Sequence, residues 1–287
     1  MNPPLHVRLM TANDLAFADS LRAMAGWNQT LDDWRDLLAL EPSDCFVAEW
    51  NGTPAGTATT TCYENRVAWI GMALVHSEYR RRGIGKALLK HCIAHLEHRR
   101  VHCLKLDATP LGKTLYEQLG FRDEWPLTRW EIARPGHWRS SEDHQTRLWT
   151  SSDAELARGL DARAFGVARP RVLERLGKRS SRALIQTSPA GTVTGFGMLR
   201  EGSRATYLGP VVADSAGVGT LLIPELLAFA PARPIYWDIP DQNTPAAELA
   251  KSLGFSPQRP LIRMFLGENK CPANPLLQFA IADPAIG

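Results

Sequence analysis

The sequence predicts a mixed α/β fold, made of two similar units in one chain of 287 residues. An apolar strand, a basic turn with glycines and an amphipathic helix follow one another over residues 67–96, which is typical of an α/β unit. Short apolar runs, turn signals and helical periodicity alternate on both sides of that segment. Several short motifs recur in the same order later in the chain. We therefore predict two α/β domains with mixed sheets, at residues 1–134 and 144–287, joined by a polar linker at 135–143.

The predicted elements of the first domain alternate between strands and helices. Capping residues precede the first two helices, at Thr11 and Thr30. The pair Asn51-Gly52 is typical of a tight hairpin. In chain order we predict strand, helix, helix, three strands, helix, strand, helix and strand, at residues 7–10, 15–22, 31–38, 45–50, 56–63, 67–75, 84–96, 103–107, 111–119 and 127–132.

Composition favours a globular protein and argues against several other classes. Hydrophobic residues make up 44% and charged residues 22% of the chain, and the formal net charge is +3. So small a charge does not favour nucleic acid as a partner, and no apolar run approaches the ~18 residues of a membrane span. We therefore expect neither nucleic acid nor membrane as a partner. The odd number of cysteines, five, without a C-x-x-C pair, favours free thiols in the cytoplasm.

The turn before the long helix has the composition of an anion site. Arg80, Arg81 and Arg82 precede Gly83 and Gly85 at the point where the turn becomes a helix. A helix N-terminus offers unpaired N–H groups and the positive end of the helix dipole, so a run of cations there favours a bound anion. Neither a Walker loop nor a Rossmann fingerprint fits, because Gly-Lys-Ser/Thr and the third glycine are absent. The turn therefore predicts a phosphate site.

This R-x-x-G-x-G turn between a strand and a helix resembles the acetyl-CoA pyrophosphate loop of the GNAT (Gcn5-related) N-acetyltransferases, with Arg80, Gly83 and Gly85 on the motif positions. The predicted order of elements is also the order in that family. The resemblance implies GNAT-like acyl-CoA N-acyltransferase domains in tandem, with acetyl-CoA as co-substrate. It assigns to the cofactor the end of one strand, the basic turn, the start of the long helix and one further threonine: Ala73, Leu74, Val75, Arg80, Arg81, Arg82, Gly83, Ile84, Gly85, Lys86, Ala87 and Thr109.

The resemblance also implies a catalytic residue. In the GNAT family a tyrosine just before a Gly-Phe pair is taken to protonate the leaving thiolate, and Tyr116 matches that place. Acyl transfer further needs N–H donors for the developing oxyanion, which a splayed strand near residues 72–74 can supply. It also needs removal of a proton from the attacking amine. Asp107, Glu64 and Glu49 are the candidate bases, and transfer through an ordered water is an equal alternative.

The segment between the first and second strands lies over the cleft opposite the cofactor in GNAT proteins. In this chain it contains Trp27, Asn28 and Gln29, at a break between two predicted helices. We predict that these three residues contact the acceptor, and we expect a small-molecule amine. Asp32 and Asp33 follow within a helical turn, where they can attract a cationic amine or stabilise the helix dipole.

The second domain is a weaker copy of the first. The matched motifs are Gly52-Thr-x-x-Gly56 with Gly191-Thr-x-x-Gly195, Trp69-Ile-Gly71 with Tyr207-Leu-Gly209, Leu119-Gly-Phe121 with Leu253-Gly-Phe255, and Pro126-Leu-x-Arg129 with Pro260-Leu-x-Arg263. The copy lacks the basic turn, because Asp214 precedes its glycines, and Ala250 stands at the place of the tyrosine. We therefore predict that coenzyme A binds to the first domain alone and that the second domain walls the acceptor cleft.

Together these observations predict an acetyl-CoA-dependent N-acetyltransferase with one active site, in the N-terminal domain. The alternative is an acyl-CoA-binding or sensing protein that performs no transfer. His91, His95 and His98 share one helix face, but no glutamate follows His91 as a zinc protease requires. We therefore expect no metal cofactor.

Overall fold

The computed structural model describes residues 4–136, 138 and 146–287. The strands in these residues join one mixed sheet. They are β1 (Leu5–Leu9), β2 (Cys45–Trp50), β3 (Thr53–Tyr63), β4 (Val67–Val75), β5 (Cys103–Ala108), β6 (Arg122–Ile132), β7 (Thr146–Leu148), β8 (Ser180–Thr187), β9 (Val193–Arg200), β10 (Thr206–Ala213), β11 (Ile235–Pro240), β12 (Ser256–Gly267) and β13 (Gln278–Ala280). The α-helices are α1 (Leu15–Met24), α2 (Leu31–Leu40), α3 (Ile84–His98), α4 (Pro110–Gln118), α5 (Asp153–Leu156), α6 (Arg158–Phe165), α7 (Pro170–Arg179), α8 (Ala216–Leu227) and α9 (Thr244–Ser252). The predicted mixed α/β class is confirmed.

The first half of the chain, through β6, follows the predicted order of elements, but two strands are longer than predicted. β3 begins at Thr53 and β6 begins at Arg122. Both extensions contain a proline, Pro54 and Pro126, and proline usually marks the edge or end of a strand. Each proline is nevertheless in register with a neighbouring strand, Pro54 with β2 and Pro126 with β12. Pairing across the sheet therefore extends both strands beyond the local signal.

Most of the predicted linker, residues 137 and 139–143, lies outside the described residues. Trp138 is described and stacks on Phe255 at a ring-centroid distance of 6.3 Å. The division of the chain into domains at these residues stays a prediction. Within the part of the chain that the structure describes, no helix is long and apolar enough to cross a membrane.

The two halves exchange one strand each, and this exchange makes the sheet continuous. The central strands lie in the order β4, β5, β12, β6, β11, β10. β12 of the second half therefore lies between β5 and β6 of the first half, antiparallel to both. β6 in turn lies between β12 and β11 of the second half. As a result, each half completes its part of the sheet with a strand from the other.

Two buried ion pairs join the exchanged strands. Arg263 on β12 donates to both carboxylate oxygens of Asp107 on β5, at 2.8 and 2.9 Å. Arg129 on β6 donates to both oxygens of Asp238 on β11, at 2.7 and 2.6 Å. The hydroxyl of Tyr207 also donates to Asp238 at 2.9 Å. Each aspartate therefore has its counter-ion in the other half, and a carboxylate left buried without that partner is strongly destabilising.

A hydrophobic core is also shared between the halves. It contains Trp34 and Trp69 of the first half together with Phe165 and Leu173 of the second. The rings of Trp69 and Phe165 lie 5.8 Å apart, centroid to centroid. Two further clusters lie under α3 in the first half and under α8 in the second. Separating the halves would return the apolar surface of the shared core to water, which opposes their separation.

Two of the histidines on α3 have structural partners. His91 and His95 pack edge-on against Phe46 of β2, at ring-centroid distances of 4.6 and 5.2 Å. His95 Nε2 lies 2.9 Å from Asp44 Oδ1, and Arg99 pairs with the same carboxylate. In the described residues, no group of three or more His, Cys, Asp or Glu side chains is arranged to hold a metal ion. These contacts hold α3 against β2 and the residue that precedes it.

The crossed ion pairs give a first prediction. We expect Arg129→Met to lower the free energy of unfolding by about 3–5 kcal/mol, because it leaves Asp238, which is 0% exposed, without its counter-ion. Chemical denaturation measures this loss. The control Arg35→Met removes an exposed pair with Asp32 on α2 and should cost less than about 1 kcal/mol. Equally small losses in both variants would contradict a structural role for the crossed pair.

Candidate functional site

A cavity opens in the first half where two parallel strands separate. β4 and β5 are in register over residues 67–69 and 103–105, and they diverge beyond that point. In open α/β sheets, ligands bind in crevices beyond the carboxyl ends of such strands. The cavity is lined by residues from both halves of the chain: Trp27, Gln29, Ile70, Gly71, Met72, Ala73, Asp107, Thr109, Tyr116, Arg259, Leu261, Pro284 and Ala285.

A β-bulge shapes the β4 side of the cavity. Met72 and Ala73 together stand opposite one residue of β3, because the register shifts between Thr57 and Thr59. Met72 has a positive φ of 48°, and its carbonyl accepts a hydrogen bond from the hydroxyl of Thr57 at 2.9 Å. A bulge bends a strand and takes backbone groups out of the ladder. Because of the bulge, the backbone groups of residues 72–73 are not all used in pairing with β3, and both residues line the cavity. They lie in the segment predicted to supply N–H donors.

Tyr116 lines the cavity from α4. Its ring packs edge-on against Phe121 at a centroid distance of 5.9 Å, and its hydroxyl makes no hydrogen bond to a described residue. Burial raises the pKa of Tyr116 to about 12, so the phenol keeps its proton at neutral pH. Thr109, which also lines the cavity, caps α4 by accepting a hydrogen bond from the backbone N–H of Gly112 at 3.3 Å. Helix α4 therefore places a protonated phenol in the cavity wall.

The basic turn follows β4 and leads into α3. Arg80, Arg81, Arg82 and Lys86 are exposed, and none of them forms an ion pair with a described carboxylate. Arg80 Nε donates to the carbonyl of Val75 at 3.2 Å. The guanidinium of Arg82 lies over two aromatic rings, 5.5 and 5.6 Å from their centroids. These contacts orient two of the side chains while the positive charges stay free for an anion.

The two glycines of the turn keep its backbone accessible. Gly83 caps α3 with a φ of 79°, a conformation that glycine adopts without strain, and no side chain caps this end of the helix. A Cβ on Gly85 would lie 3.6 Å from Val75 and 3.7 Å from Leu115. Gly85 therefore lies between the end of β4 and helix α4, at ordinary contact distance from a side chain of each.

The remaining residues predicted at the cofactor divide between the cavity and the core. Ala73 lines the cavity. Leu74 and Ile84 are buried, 8% and 1% exposed, so their side chains belong to the core and only their backbone can meet a ligand. The N–H of Ala87 already donates to the carbonyl of Gly83 at 3.0 Å. Its amide is thus used by the first turn of α3.

The segment predicted to contact the acceptor contributes two residues to the cavity wall. Trp27 and Gln29 line the cavity. Asn28 does not, because its side chain is buried against the second half. Its Oδ1 accepts from the backbone N–H groups of Arg204 and Ala205 at 3.0 and 2.9 Å, and its Nδ2 donates to the carbonyl of Ala205 at 3.1 Å. Asn28 therefore fastens the segment, while its two neighbours face the cavity.

One carboxylate considered as a base lines the cavity, and two are elsewhere. Glu49 pairs with Arg8 at the edge of the sheet, and Glu64 lies on the turn after β3, where it pairs with Arg66. Asp107 lines the cavity. Burial raises the pKa of Asp107 above its ordinary value, against the opposing effect of Arg263. Its side chain has no accessible surface.

The second half supplies part of the wall that the local sequence signals did not identify. Arg259 and Leu261 come from the exchanged strand β12, and Pro284 and Ala285 come from the segment after β13. Trp69 Nε1 donates to the carbonyl of Pro284 at 3.0 Å, which holds that segment against β4. Of these two segments, only β12 carries a recognisable sequence signal, the repeated Pro-Leu-x-Arg motif. The segment after β13 has no counterpart in the first half.

The corresponding cleft of the second half is filled by the chain itself. β10 and β11 also separate after a short parallel register, and β13 pairs with β10 inside the gap. Phe279 of β13 is 1% exposed, and a Cβ on Gly219 at the start of α8 would collide with its ring at 2.5 Å. Trp237 Nε1 donates to the carbonyl of Phe279 at 2.7 Å. The strand β13 therefore occupies the space that corresponds to the cavity of the first half.

The bulge of the second half contains a proline. Gly209 and Pro210 stand together opposite one residue of β9, as Met72 and Ala73 do in the first half. Proline has no backbone N–H. The position of Ala250, which corresponds to Tyr116, is fully buried. The second half therefore has one backbone N–H fewer at its bulge and no phenol at the position of Tyr116.

Comparison with known proteins identifies both halves with the same family. Residues 15–121 match the family model described as "Acetyltransferase (GNAT) family", and residues 157–280 match a second model described as "Acetyltransferase (GNAT) domain". The N-acetyltransferase YitH of Bacillus subtilis (strain 168), described as uncharacterized, is 26% identical over 190 residues. That match covers 66% of this chain and 66% of the relative's own length.

Two solved structures resemble this chain over most or all of its length. The structure of a candidate acetyltransferase from Pyrococcus horikoshii is 26% identical and superposes with a TM-score of 0.84, covering 100% of this chain and 97% of that one. A tandem GNAT protein from the clavulanic acid biosynthesis pathway is 18% identical with a TM-score of 0.68, covering 92% of this chain and 98% of that one. The second likeness shows the tandem fold.

The wall of the cavity gives a prediction for pH. Gln29 Nε2 donates to Asp283 Oδ1 at 2.7 Å, and burial raises the pKa of Asp283 to about 6 from 3.8. A carboxyl whose pKa is raised on folding stabilises the protein fully below its unfolded pKa, and this contribution is lost as the pH rises through the folded pKa. We therefore expect Asp283→Asn to gain stability relative to the parent protein between about pH 4 and pH 7. Thermal unfolding measures the difference, and a difference independent of pH would refute the raised pKa.

Proposed function

The chain belongs to the GNAT acetyltransferases, a family of acyltransferases, and from that membership we propose that it transfers an acetyl group from acetyl-CoA to a small-molecule amine. We propose the cavity of the first half as its single active site. The observation that carries this proposal is the convergence of two features on one cavity, the bulge of β4 and the side chain of Tyr116, with the basic turn following β4 in the chain. The filled cleft of the second half supports a single site.

The fit of coenzyme A to the first half rests on charge and shape. Arg80, Arg81, Arg82 and Lys86 carry positive charge without a described carboxylate partner, and the start of α3 offers backbone N–H groups. These groups suit the pyrophosphate. We propose that the slender arm that carries the thiol passes Gly85, where the missing side chain keeps the surface between Val75 and Leu115 low. Acetyl-CoA would supply an activated thioester at the end of that arm.

The residues of the cavity can serve each need of acyl transfer. N–H groups at the bulge of β4 can donate to the thioester oxygen as negative charge develops on it. Tyr116 can give its proton to the departing thiolate, because it is protonated at neutral pH and its hydroxyl makes no hydrogen bond to a described residue. Trp27 and Gln29 can hold the acceptor on the other side of the thioester. The amine nitrogen then forms the new bond to the acyl carbon as the carbon–sulfur bond breaks.

We assign removal of the amine proton to water. Both oxygens of Asp107 already accept hydrogen bonds from Arg263, and the side chain has no accessible surface. Direct transfer from the amine to this carboxylate would require it to leave its counter-ion. In this proposal Asp107 and Arg263 hold β5 against β12 and keep the cavity in shape.

We propose the cytoplasm as the site of action. All five cysteines, of which Cys45, Cys92, Cys103 and Cys271 are buried, are free thiols. Free thiols persist in reducing compartments.

Thiol release tests the proposed function. The protein is incubated with acetyl-CoA and a panel of small amines, and free coenzyme A and the acetylated amine are measured together. Equal amounts of both products support acetyl transfer. Binding of acetyl-CoA without product from any amine would favour the acyl-CoA-binding alternative.

Gly85 gives a prediction for the cofactor. We expect one coenzyme A per chain by calorimetry, and we expect Gly85→Ala to weaken its binding about ten- to hundredfold, because a methyl group in the first turn of α3 would stand between the ligand and the backbone N–H groups proposed to bind it. The matched control is Gly217→Ala at the start of α8, where a Cβ would meet nothing within 4 Å. The control should bind as the parent protein does. Two coenzyme A molecules per chain, or equal weakening in both variants, would contradict a single site in the first half.

Tyr116 gives a prediction for the chemical step. We expect Tyr116→Phe to lower turnover by ~10²–10⁴, the range typical of general acids, while the affinity for coenzyme A stays nearly unchanged. The phenyl ring keeps the packing against Phe121 and removes only the proton donor. Turnover equal to that of the parent protein would contradict a role for Tyr116 as the general acid and would leave it a packing residue.

A further inference from the structure

Arg259 is a cation in the cavity wall without an anion. It lines the cavity together with Trp27, Gln29 and Tyr116. It forms no ion pair or hydrogen bond with a described residue, and its Nε is buried without an acceptor. The carboxylate of Asp238 attracts Arg259 electrostatically, but its two oxygens already accept hydrogen bonds from two nitrogens of Arg129. A half-buried guanidinium in this state has lost water without gaining a partner, which is unfavourable until an anion binds.

The surroundings make this positive charge more costly. Arg259 is in register with Arg129 of β6. Burial and the charge of Arg129 both lower the pKa of Arg259, although arginine stays protonated at neutral pH. A second cation nearby would not be expected if Arg259 served only to stabilise the sheet.

The internal repeat shows that the strand does not need arginine at this position. The motif Pro-Leu-x-Arg begins at Pro126 in the first half and at Pro260 in the second, so Arg259 corresponds to Trp125. Trp125 is 5% exposed and packs on the guanidinium of Arg263 at 4.2 Å. A register shift between β6 and β12 just before Arg259 turns this part of the strand, as bulges near active sites do. Of these two corresponding positions, only that of Arg259 lines the cavity, and there arginine stands in place of the aromatic residue.

Gln29 supplies a second unpaired group in the same cavity. Its Nε2 donates to Asp283, while its Oε1 is buried and accepts no hydrogen bond. An amide oxygen accepts from an amine, and a guanidinium binds a carboxylate or phosphate through paired N–H groups. One ligand that carries both an amine and an anionic group would satisfy both residues.

We propose that the acceptor is a small amine that also carries a carboxylate or phosphate, with Arg259 binding the anionic group and Gln29 accepting a hydrogen bond from the amine. The proposal rests on the acetyl transfer proposed above and names the substrate class of that site. Arg259 thus determines specificity from the exchanged strand, and Tyr116 and the bulge of β4 act on the thioester.

Matched acceptor pairs test this assignment. Glycine, serine and phenylalanine are each compared with their amides, and phosphoethanolamine is compared with ethanolamine, at saturating acetyl-CoA. The parent protein should prefer the charged member of at least one pair, and the pair that responds tells carboxylate from phosphate. Arg259→Gln should raise KM for that charged member about ten- to hundredfold, the range for hydrogen bonds to charged groups. It should leave KM for the uncharged member and kcat for both nearly unchanged.

Two further variants separate recognition from general damage. Arg259→Lys keeps the charge and should recover part of the affinity for the charged acceptor. Arg66→Gln changes an exposed arginine outside the cavity and should match the parent protein. An equal fall in kcat for charged and uncharged acceptors would assign Arg259 to the thioester instead and overturn the proposal.

Product binding keeps the test independent of turnover. The N-acetylated acids and amides of the same pairs, and N-acetyl phosphoethanolamine with N-acetylethanolamine, are titrated into the coenzyme A complex by calorimetry. The charged product should bind more tightly to the parent protein and lose that advantage in Arg259→Gln. If no amine is acetylated but this preference holds, the proposed function fails and the anion site stands. If amines are acetylated without preference for charge, the function stands and the anion site fails.

Discussion

The structure depends on two arginine–aspartate pairs that cross between the halves of the chain. Asp107 and Asp238 sit on corresponding strands, and each is held by an arginine, Arg263 or Arg129, from the strand donated by the other half. All four side chains are almost fully buried. A buried pair of this kind contributes little when compared with an apolar replacement, but loss of one partner leaves a charge that nothing offsets. The pairs therefore fix each exchanged strand in register against its neighbour from the other half.

This exchange explains why the cavity is built from distant parts of the sequence. β12 carries Arg259 and Leu261 into the first half because it takes the place beside β5. The chain then returns through β13, which fills the gap between β10 and β11, and its continuation reaches β4 with Pro284 and Ala285. One segment thus closes the cleft of the second half and walls the cavity of the first. The second half therefore fills its own corresponding cleft and supplies part of the wall of the cavity in the first half.

Local sequence signals predicted the parts of the fold that local forces decide. The capped helices, the hairpin at Asn51-Gly52 and the basic turn before α3 were all visible in the sequence, because caps, glycines and periodicity act over a few residues. Tyr116 and Trp27 were found through their setting in a family pattern, and the structure brings both to one cavity. Asn28 was grouped with its neighbours, but it holds the 204–205 backbone instead. A sequence pattern over a few residues does not indicate which of three successive side chains will contact the other half of the chain.

The repeat within the chain carries information that neither half carries alone. Where corresponding positions agree, as in Arg129 and Arg263, the residues hold the exchanged sheet together. Thr109 and Asn243 differ in type but cap corresponding helices in the same way. Where the residues differ in chemistry, as in Tyr116 and Ala250, the fold accepts both residues. The difference is then not required by the fold and points to a local role in one half. By the same reasoning, the change from Trp125 to Arg259 cannot be assigned to the sheet, since the sheet accepts either residue, and the cavity is the part of the structure that distinguishes them.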